Sequence, residues 1–273
     1  SPQLNTRYSG KVYGQIWGFE TDRYFTSEDD VKNSPSQKLL ESGTFTYGPG
    51  DIKFKDLDGD GEITWGEGTE GKHGDLKVIG NVTPRYQYSL RLGGAWKGFD
   101  LDMYFQGVGK RDYWSTSAFV IPFSRGTDAI YSTQTSYISE EAVKANNIDQ
   151  SKTYPRMFAG NGARGQMSSN IQEYGGKYNF YPQTKYLLNM AYLRLKNITV
   201  GYTIPEFITN KISIEKVRVY LNVNNALDII NHTKKYGIDP EIGKGEGTGA
   251  DAGAFGRTDP YYRTVSCGVQ ITF

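Results

Sequence analysis

Residues 56–67 read DLDGDGEITWGE and place five acidic side chains within twelve residues. Aspartates at the first, third and fifth places, a glycine at the sixth and a glutamate at the twelfth match a well-known calcium-binding loop. Calcium takes about six to eight oxygen ligands, and a short flexible run of carboxylates supplies them. The predicted ligands of one Ca²⁺ are Asp56, Asp58, Asp60, the backbone carbonyl of Glu62, and Glu67.

The same run also has a plainer interpretation. Turns rich in Asp and Gly occur without any bound metal, because the match is to a short and degenerate pattern. No helical pattern flanks residues 56–67. We therefore expect a structural Ca²⁺ that staples a loop and not a sensor hand, with an ion-free turn as the alternative.

Other residues that could bind a metal or act in catalysis do not occur in a recognisable motif. His73 and His232 lie far apart and have no metal ligands at the usual spacing. No nucleophile elbow, phosphate loop or histidine-centred triad is present. Glu140 and Glu141 follow Ser139 and are explained as the first turn of a serine-capped helix. We therefore predict that the chain is not an enzyme.

Composition narrows the class further. Only 37% of the 273 residues are hydrophobic, whereas aromatic residues make up 14%. Such an excess of aromatics suits surfaces with one apolar and one wet side. The net charge of +1 comes from scattered acidic and basic residues, which excludes the basic stripe of a nucleic-acid-binding protein. Cys267, the single cysteine, cannot form an internal disulfide.

Period-two alternation of apolar and polar residues predicts an all-β protein. Segments with this pattern lie near 12–19, 85–96, 99–107, 192–204, 216–224 and 263–273. Only Lys97 and Gly98 separate the second segment from the third, which predicts a tight hairpin. The first half of the fourth segment is irregular and predicts a bulge.

The connections between these strands alternate between long and short. The long ones cover residues near 20–84, 108–191 and 225–262. Long loops at one end and tight turns at the other are typical of an outer-membrane barrel. We therefore predict about six strands of a larger, transmembrane antiparallel β-barrel with long extracellular loops.

The last segment, 263–273, alternates strictly and ends on the aromatic Phe273, as the terminal strands of such barrels usually do. If the alternation belongs to a barrel, one face of each strand contacts lipid. The residues predicted on that face are Leu90, Leu92, Leu101, Met103, Val217, Val219, Leu221, Val269 and Ile271.

Aromatic residues also occur in the long loops. They are Trp65, Tyr113, Trp114, Phe119, Tyr178, Phe180 and Tyr181. Rings of this kind stack on sugars or peptides, but they equally serve as the packing of a folded loop. Both interpretations stay open from the sequence.

Several motifs occur together and in order. They are KDLDGDGE at 55–62, VIGNVTPRY at 78–86, WKGFDL at 96–101, FQG at 105–107, YLRLKNITVGY at 192–202, VRVY at 217–220, NNAL at 224–227 and YGIDPE at 236–241. This set resembles the C-terminal barrel of SusC-type, RagA-like TonB-dependent outer-membrane transporters over nearly the whole chain. Val265 and Cys267 stand where that family usually has aromatic residues.

The resemblance implies a function for the parent protein. Such transporters are plugged barrels of about 22 strands in the outer membrane of Gram-negative bacteria. They import oligosaccharides or peptides with energy from TonB, beneath a SusD-like surface lipoprotein that acts as a lid. The implied partners are that lipoprotein, the remaining barrel and plug, TonB, and lipid with lipopolysaccharide.

The resemblance also implies that this chain is only part of such a transporter. Six strands cannot close a barrel, and an open sheet in lipid leaves backbone groups unpaired at both edges. We therefore expect a piece of a transporter whose plug and other strands lie outside this sequence. The alternative from a different class is a secreted, calcium-stabilised β-sandwich that binds carbohydrate.

Overall fold

The computed structural model describes residues 4, 9–41, 45–115, 117–122, 131–156, 179–242 and 262–273. Its elements fall into two regions, a long five-stranded sheet and a compact body built from the segments between the strands. We call the described parts of 15–81, 111–190 and 232–242 the loop body. Within the described residues, no helix has the length and apolar character needed to cross a membrane.

The five-stranded sheet is antiparallel throughout. Its strands are β5 (Gln87–Trp96), β6 (Phe99–Val108), β11 (Tyr192–Thr203), β12 (Lys216–Asn231) and β13 (Thr264–Thr272). They pair in the order β13-β12-β11-β6-β5, so neighbours in the sheet follow the chain as a meander. The predicted segments 85–96, 99–107, 192–204, 216–224 and 263–273 therefore coincide with the strands of one sheet.

The register places apolar side chains together on one face. Leu101 pairs with Gly94 and Val200, Val200 pairs with Leu221, and Leu221 pairs with Cys267. Directly paired residues point to the same side of a sheet. All nine residues predicted to share a face do so, and Val269 and Leu221 are 62% and 47% exposed. The outer face is thus apolar and uncovered.

The two short connections lie at the same end of the sheet. In the β5–β6 turn, Lys97 and Gly98 have φ values of 49° and 87°, as a two-residue hairpin of the I′ type requires. The β11–β12 connection contains the helix α3 (Glu206–Thr209). The amide of Thr203 donates to the carbonyl of Gly98 at 2.8 Å, which joins the two turns. Chain connectivity therefore sends every long segment to the opposite end.

Irregular pairing interrupts β11, as its sequence predicts. The register shifts between Leu193 and Arg194 and again between Leu195 and Asn197. Opposite, Asn225 adopts a left-handed conformation with φ of 53°. β12 continues past this bulge to Asn231, whereas its predicted end is residue 224. The prediction stopped there because a bulge interrupts the alternation of apolar and polar residues.

Short strands and helices make up the loop body. They are β1 (Gln15–Phe19), β2 (Thr21–Tyr24), α1 (Glu28–Lys32), β3 (Ile52–Phe54), β4 (Leu76–Asn81), β7 (Asp112–Tyr113), β8 (Tyr137–Ile138), α2 (Glu140–Lys144), β9 (Tyr154–Arg156) and β10 (Leu188–Asn189). The strands form four two-stranded sheets, in which β1 pairs with β4, β2 with β3, β7 with β10, and β8 with β9. Ser139 caps α2 by accepting from the amide of Ala142, which confirms the predicted serine-capped helix.

The hydrophobic core lies in the loop body. The largest side chains with almost no exposed surface are Tyr24, Tyr154, Tyr186, Phe19, Phe25, Phe54, Leu40, Ile52, Ile63, Ile121 and Ile138. Every one of them belongs to this region. The segments predicted as loops therefore fold around a core of their own.

The first predicted strand lies outside the five-stranded sheet. The segment near 12–19 forms β1, but β1 pairs with β4 in a separate two-stranded sheet and not with the five-stranded sheet. Phe19 is buried in the loop body, where its ring lies 4.9 Å from that of Phe54. Period-two alternation shows only that one side of a strand is apolar. In β1, that apolar side packs on protein. The described sheet has five strands, and the assignment of 12–19 to the barrel stays a prediction.

Candidate functional site

The acidic loop at 56–67 folds as a tight turn. Both carboxylate oxygens of Asp56 accept backbone hydrogen bonds, from the amides of Gly59 at 2.6 Å and Gly61 at 2.9 Å. Gly59 and Gly61 have φ values of 79° and 85°, a region in which residues with a side chain are strained. These two glycines let the chain curl around the first aspartate.

The chain next to the turn is anchored in the protein core. Ile63, which follows Glu62 within this loop, is fully buried. Its amide donates to the carbonyl of Ser36 at 2.8 Å, and the amide of Ser36 donates to the carbonyl of Gly61 at 2.8 Å. The acidic turn is therefore exposed but fixed at its C-terminal end.

Asp56 and Asp58 converge with a third carboxylate that the sequence pattern does not contain. Oxygen atoms of Asp56, Asp58 and Asp75 all lie within 4.8 Å of one another. Within the part of the chain that the structure describes, these three form the one group of acidic, histidine or cysteine side chains with such spacing. The site residue that the loop pattern misses is Asp75.

Two hydrogen bonds hold Asp75 in place, although its burial and its acidic neighbours disfavour its negative charge. It is fully buried and accepts hydrogen bonds from the amides of Leu57 at 2.6 Å and Thr64 at 2.7 Å. Burial raises the pKa of Asp75, and the charges of Asp58 and Asp56 raise it further, against those two hydrogen bonds. A cation between the three carboxylates would remove this repulsion.

The remaining predicted ligands lie outside that trio. Asp60 is exposed, and its carboxylate accepts from the amide of Glu62 at 2.8 Å. Glu67 forms an exposed ion pair with Lys72, 2.7 Å between nitrogen and oxygen. The five predicted calcium ligands remain a prediction, and the geometry adds Asp75 as a neighbour of the first two.

The polar face of the five-stranded sheet carries matched charges. Arg218 contacts Asp100 on the next strand but one at 2.5 Å, and Arg91 contacts Asp102 at 2.8 Å. Asn222 donates to Thr199 at 2.7 Å. Each acid on this part of the face has a basic partner within the sheet, so the face is polar and close to neutral.

A buried arginine joins the sheet to the loop body. Arg194, 3% exposed in the bulged part of β11, pairs with Asp228 on β12. It also reaches Asp239 at 3.3 Å and Glu241 at 2.7 Å, beyond the end of β12. Because a guanidinium presents several donors in a fixed plane, one side chain clamps three carboxylates. Strand alternation gives no signal for this clamp.

Buried tyrosines join the two long segments into one unit. The hydroxyls of Tyr24 and Tyr186 both donate to the carbonyl of Thr153, each at 2.9 Å. Burial raises the pKa of both hydroxyls, so they remain neutral donors. The amide of Ile52 donates to the side chain of Asn179 at 2.8 Å. Segments more than a hundred residues apart thus share a core.

The loop aromatics serve mainly as packing. Phe180 is buried, and Tyr113, Trp114, Phe119 and Tyr181 pack against the core. Trp65 is 41% exposed and lies 5.3 Å from the ring of Tyr181. Tyr178 lies outside the described residues. Among the described members of this set, Trp65 offers the most open ring for contact with a ligand.

Comparisons with known proteins agree with this architecture. No family model matches the chain. The chain is 24% identical over 275 residues to the TonB-dependent receptor P3 of Formosa agariphila, covering 97% of this chain and 22% of that receptor. The chain therefore spans about a fifth of the length of this curated relative.

Solved structures of the RagAB importer have a similar fold. The open-open state of the RagAB peptide importer matches with a TM-score of 0.56 at 15% identity, over 95% of this chain and 22% of that one. The closed-closed state matches with a TM-score of 0.57 at 18% identity, over 95% and 23%. These similarities confirm the resemblance to a SusC-type, RagA-like transporter and the fold of its barrel strands.

Proposed function

We propose that this chain, as part of a TonB-dependent outer-membrane transporter of the SusC type, forms a section of the barrel wall and much of its extracellular surface. The parent protein would import oligosaccharides or peptides in a Gram-negative bacterium with energy from TonB. The observation that carries this proposal is the single sheet with an uncovered apolar face and a polar opposite face. Such a sheet suits lipid on one side and a wet interior on the other.

The polar face is suited to line a passage. Asp100 and Arg218 neutralise each other within the wall, as do Asp102 and Arg91. A wall whose charges are already paired holds neither a passing solute nor a plug by strong ion pairs. Solutes of either class would therefore pass along it without being trapped.

The loop body is suited to catch the substrate. It lies at the end of the sheet opposite the tight turns, which is the extracellular end in barrels of this kind. Its shared core keeps the two long segments together, so it presents a formed surface and not separate flexible loops. We propose that a SusD-like surface lipoprotein docks on this surface as a lid, with the remaining barrel and plug below.

A calcium ion would order the part of that surface near Trp65. We propose that Asp56 and Asp58 bind Ca²⁺ together with Asp60, the carbonyl of Glu62 and Glu67, and that Asp75 supports the ion from the core side. The convergence of Asp56, Asp58 and Asp75 favours a cation here. Hard carboxylate oxygens at this spacing suit Ca²⁺ better than a transition metal.

The other candidate function, a secreted carbohydrate-binding sandwich, has less support. A sandwich buries the apolar face of each sheet against a second sheet. Here Leu221, Val219 and Val269 of the five-stranded sheet are exposed, and no second sheet packs on them among the described elements. The relatives are named as a receptor and importers, which fits a protein that is not an enzyme.

Uptake by living cells tests the proposal. The full transporter containing this chain should be deleted in its host, and the uptake of labelled oligopeptides and labelled oligosaccharides should be compared with that of the parent strain. We expect uptake of one class to fall strongly, and to fall equally when TonB is removed. Affinity purification of the tagged transporter should recover a SusD-like lipoprotein. Unchanged uptake of both classes would refute the proposed function.

A further inference from the structure

The apolar face of the five-stranded sheet contains a hollow at Gly94 on β5. Its described neighbours on this face all have side chains, namely Leu92 and Trp96 on the same strand and Leu101 opposite. The other side of Gly94 is the free edge of the described sheet. A Cβ atom placed on Gly94 would meet no atom within 4 Å. The hollow has a volume of about 620 Å³ and is continued by Phe99, Met103 and Val200.

The rim of the hollow is aromatic on the side of the tight turn. Trp96 and Phe99 are 70% and 55% exposed, and the ring of Phe99 lies 4.6 Å from that of Tyr202. Aromatic side chains of barrels gather where hydrocarbon meets the headgroups. In the proposed barrel, the hollow would therefore lie just inside the hydrocarbon layer of the periplasmic leaflet.

A cation stands at the headgroup level above this rim. Lys97 is the first residue of the hairpin turn, and its ammonium lies 4.8 Å from the centre of the Trp96 ring. Three residues of extended chain separate it from Gly94, which is roughly 10 Å at the rise of a strand. Basic side chains in this zone attract lipid phosphate.

We propose that this hollow is a binding site for one phospholipid of the periplasmic leaflet. An acyl chain would fill the space over Gly94, between Leu92, Trp96 and Leu101, and the phosphate would contact Lys97. The surface is continuous with the lipid-facing side of the sheet, so a lipid is the occupant already present in the surroundings. The proposal rests on the proposed placement of the sheet in the outer membrane and not on the identity of the transported substrate.

A photoreactive lipid tests the site. The full transporter should be reconstituted in phosphatidylethanolamine vesicles containing a trace of phosphatidylethanolamine with a diazirine on its acyl chain. After irradiation, mass spectrometry compares labelling of residues 92–103 with labelling of 217–223, a lipid-facing stretch without a hollow. We expect a roughly fourfold excess on 92–103, as burial of about one further methylene group gives.

Two substitutions by leucine separate the site from a general effect of a larger outward side chain. Gly94→Leu fills the hollow and should remove the excess. Cys267→Leu enlarges an existing side chain in the same row of the sheet, four strands away, and should leave the excess unchanged. Lys97→Gln should lower the excess by removing the phosphate contact.

The unmodified protein alone can overturn the proposal, whatever the variants do. Equal labelling of 92–103 and 217–223 would mean that the hollow is filled by a side chain from the strand that pairs with β5 in the full barrel. An excess that survives Gly94→Leu in folded protein would also overturn it. Unchanged labelling in Lys97→Gln would overturn the phosphate contact.

Discussion

The five-stranded sheet and the loop body use apolar residues in opposite ways. All ten residues of β5 are exposed, whereas Phe54, Ile52 and Ile63 of the loop body have no exposed surface at all. The loop body buries its apolar groups against itself, as a water-soluble domain does. The sheet leaves them outside, and in the proposed transporter a surrounding membrane and partner strands would cover its face and edges. On that proposal, one short chain contains structure adapted to two solvents.

The largest difference between the two regions should appear when a buried side chain of the loop body is made smaller. Phe54→Ala deletes a buried ring that lies 4.9 Å from the ring of Phe19. We expect a loss of about 3–5 kcal/mol in the stability of the loop body, because a cavity remains where the ring packed. Limited proteolysis of the full transporter on intact cells measures this.

The matched control for Phe54→Ala is Val200→Ala on the outer face of the sheet. Val200 is 44% exposed, so no cavity forms in protein and the effect should be small. Barrel folding, measured as gel mobility without heating, should persist in both variants. Equal protease sensitivity of the two variants would show that the loop body has no independent core.

A charge on the outer face should damage the sheet and spare the loop body. We expect Leu221→Arg to cost about 2–4 kcal/mol if the residue lies near the bilayer midplane. Asn222→Arg, one residue along the same strand, faces the polar side and should cost much less. The amount of folded transporter in the outer membrane measures both. Equal losses would contradict a sheet with one lipid-facing side.

Loss of the proposed calcium ion should loosen the loop body without affecting the sheet. A weak extracellular site with a dissociation constant of about 10⁻⁴–10⁻³ M contributes about 0.4–1.4 kcal/mol at about 1 mM calcium. Asp58→Ala combined with Asp60→Ala should therefore raise protease cleavage near residues 56–67 and abolish its dependence on calcium. Asp22→Ala together with Asp29→Ala removes equal charge elsewhere in the loop body and serves as the control. A high-resolution map with water in place of the ion at millimolar calcium would refute the site.

The smallest predicted effect concerns acid pH. The side chain of Arg23 contacts both carboxylate oxygens of Asp30, at 2.5 and 2.6 Å, and holds the pKa of Asp30 well below its usual range. A lowered pKa stabilises the folded state above the ordinary aspartate pKa of about 3.9, and that stability is lost as pH falls below it. Protease resistance of the loop body should therefore decline below about pH 4.

Asp30→Asn is the variant that checks the origin of this acid sensitivity. It should cost about 1 kcal/mol at neutral pH and flatten the decline on acidification. An unchanged pH profile in this variant would assign the decline to other carboxylates.

The sequence predicted the sheet well and the loop body poorly, for a physical reason. Alternation is a local signal, and it identified the strands at 85–96, 99–107 and 192–204 within a few residues. The loop body depends on contacts between distant residues, such as Tyr24 with Thr153. Its strands have two to six residues, too few for a period to emerge.

The candidate site shows the same division. The acidic run at 56–67 was visible because its residues are adjacent in sequence. Asp75 was missed because it joins Asp56 and Asp58 only through the fold, held by amides of Leu57 and Thr64. The pairing of the segment 12–19 with β4 could not be predicted, because alternation does not tell a lipid-facing strand from one that packs on protein.

Spin labels along β12 of the full transporter in lipid vesicles test the central claim most directly. With Cys267 replaced by Ser, single cysteines are introduced at each position from 217 to 223, and collision with oxygen and with a nickel complex is measured. We expect labels that replace Val217, Val219, Leu221 and Val223 to report hydrocarbon, and labels that replace Arg218, Tyr220 and Asn222 to report a polar environment. Water at position 221, or no alternation along the strand, would contradict a sheet with one lipid-facing side.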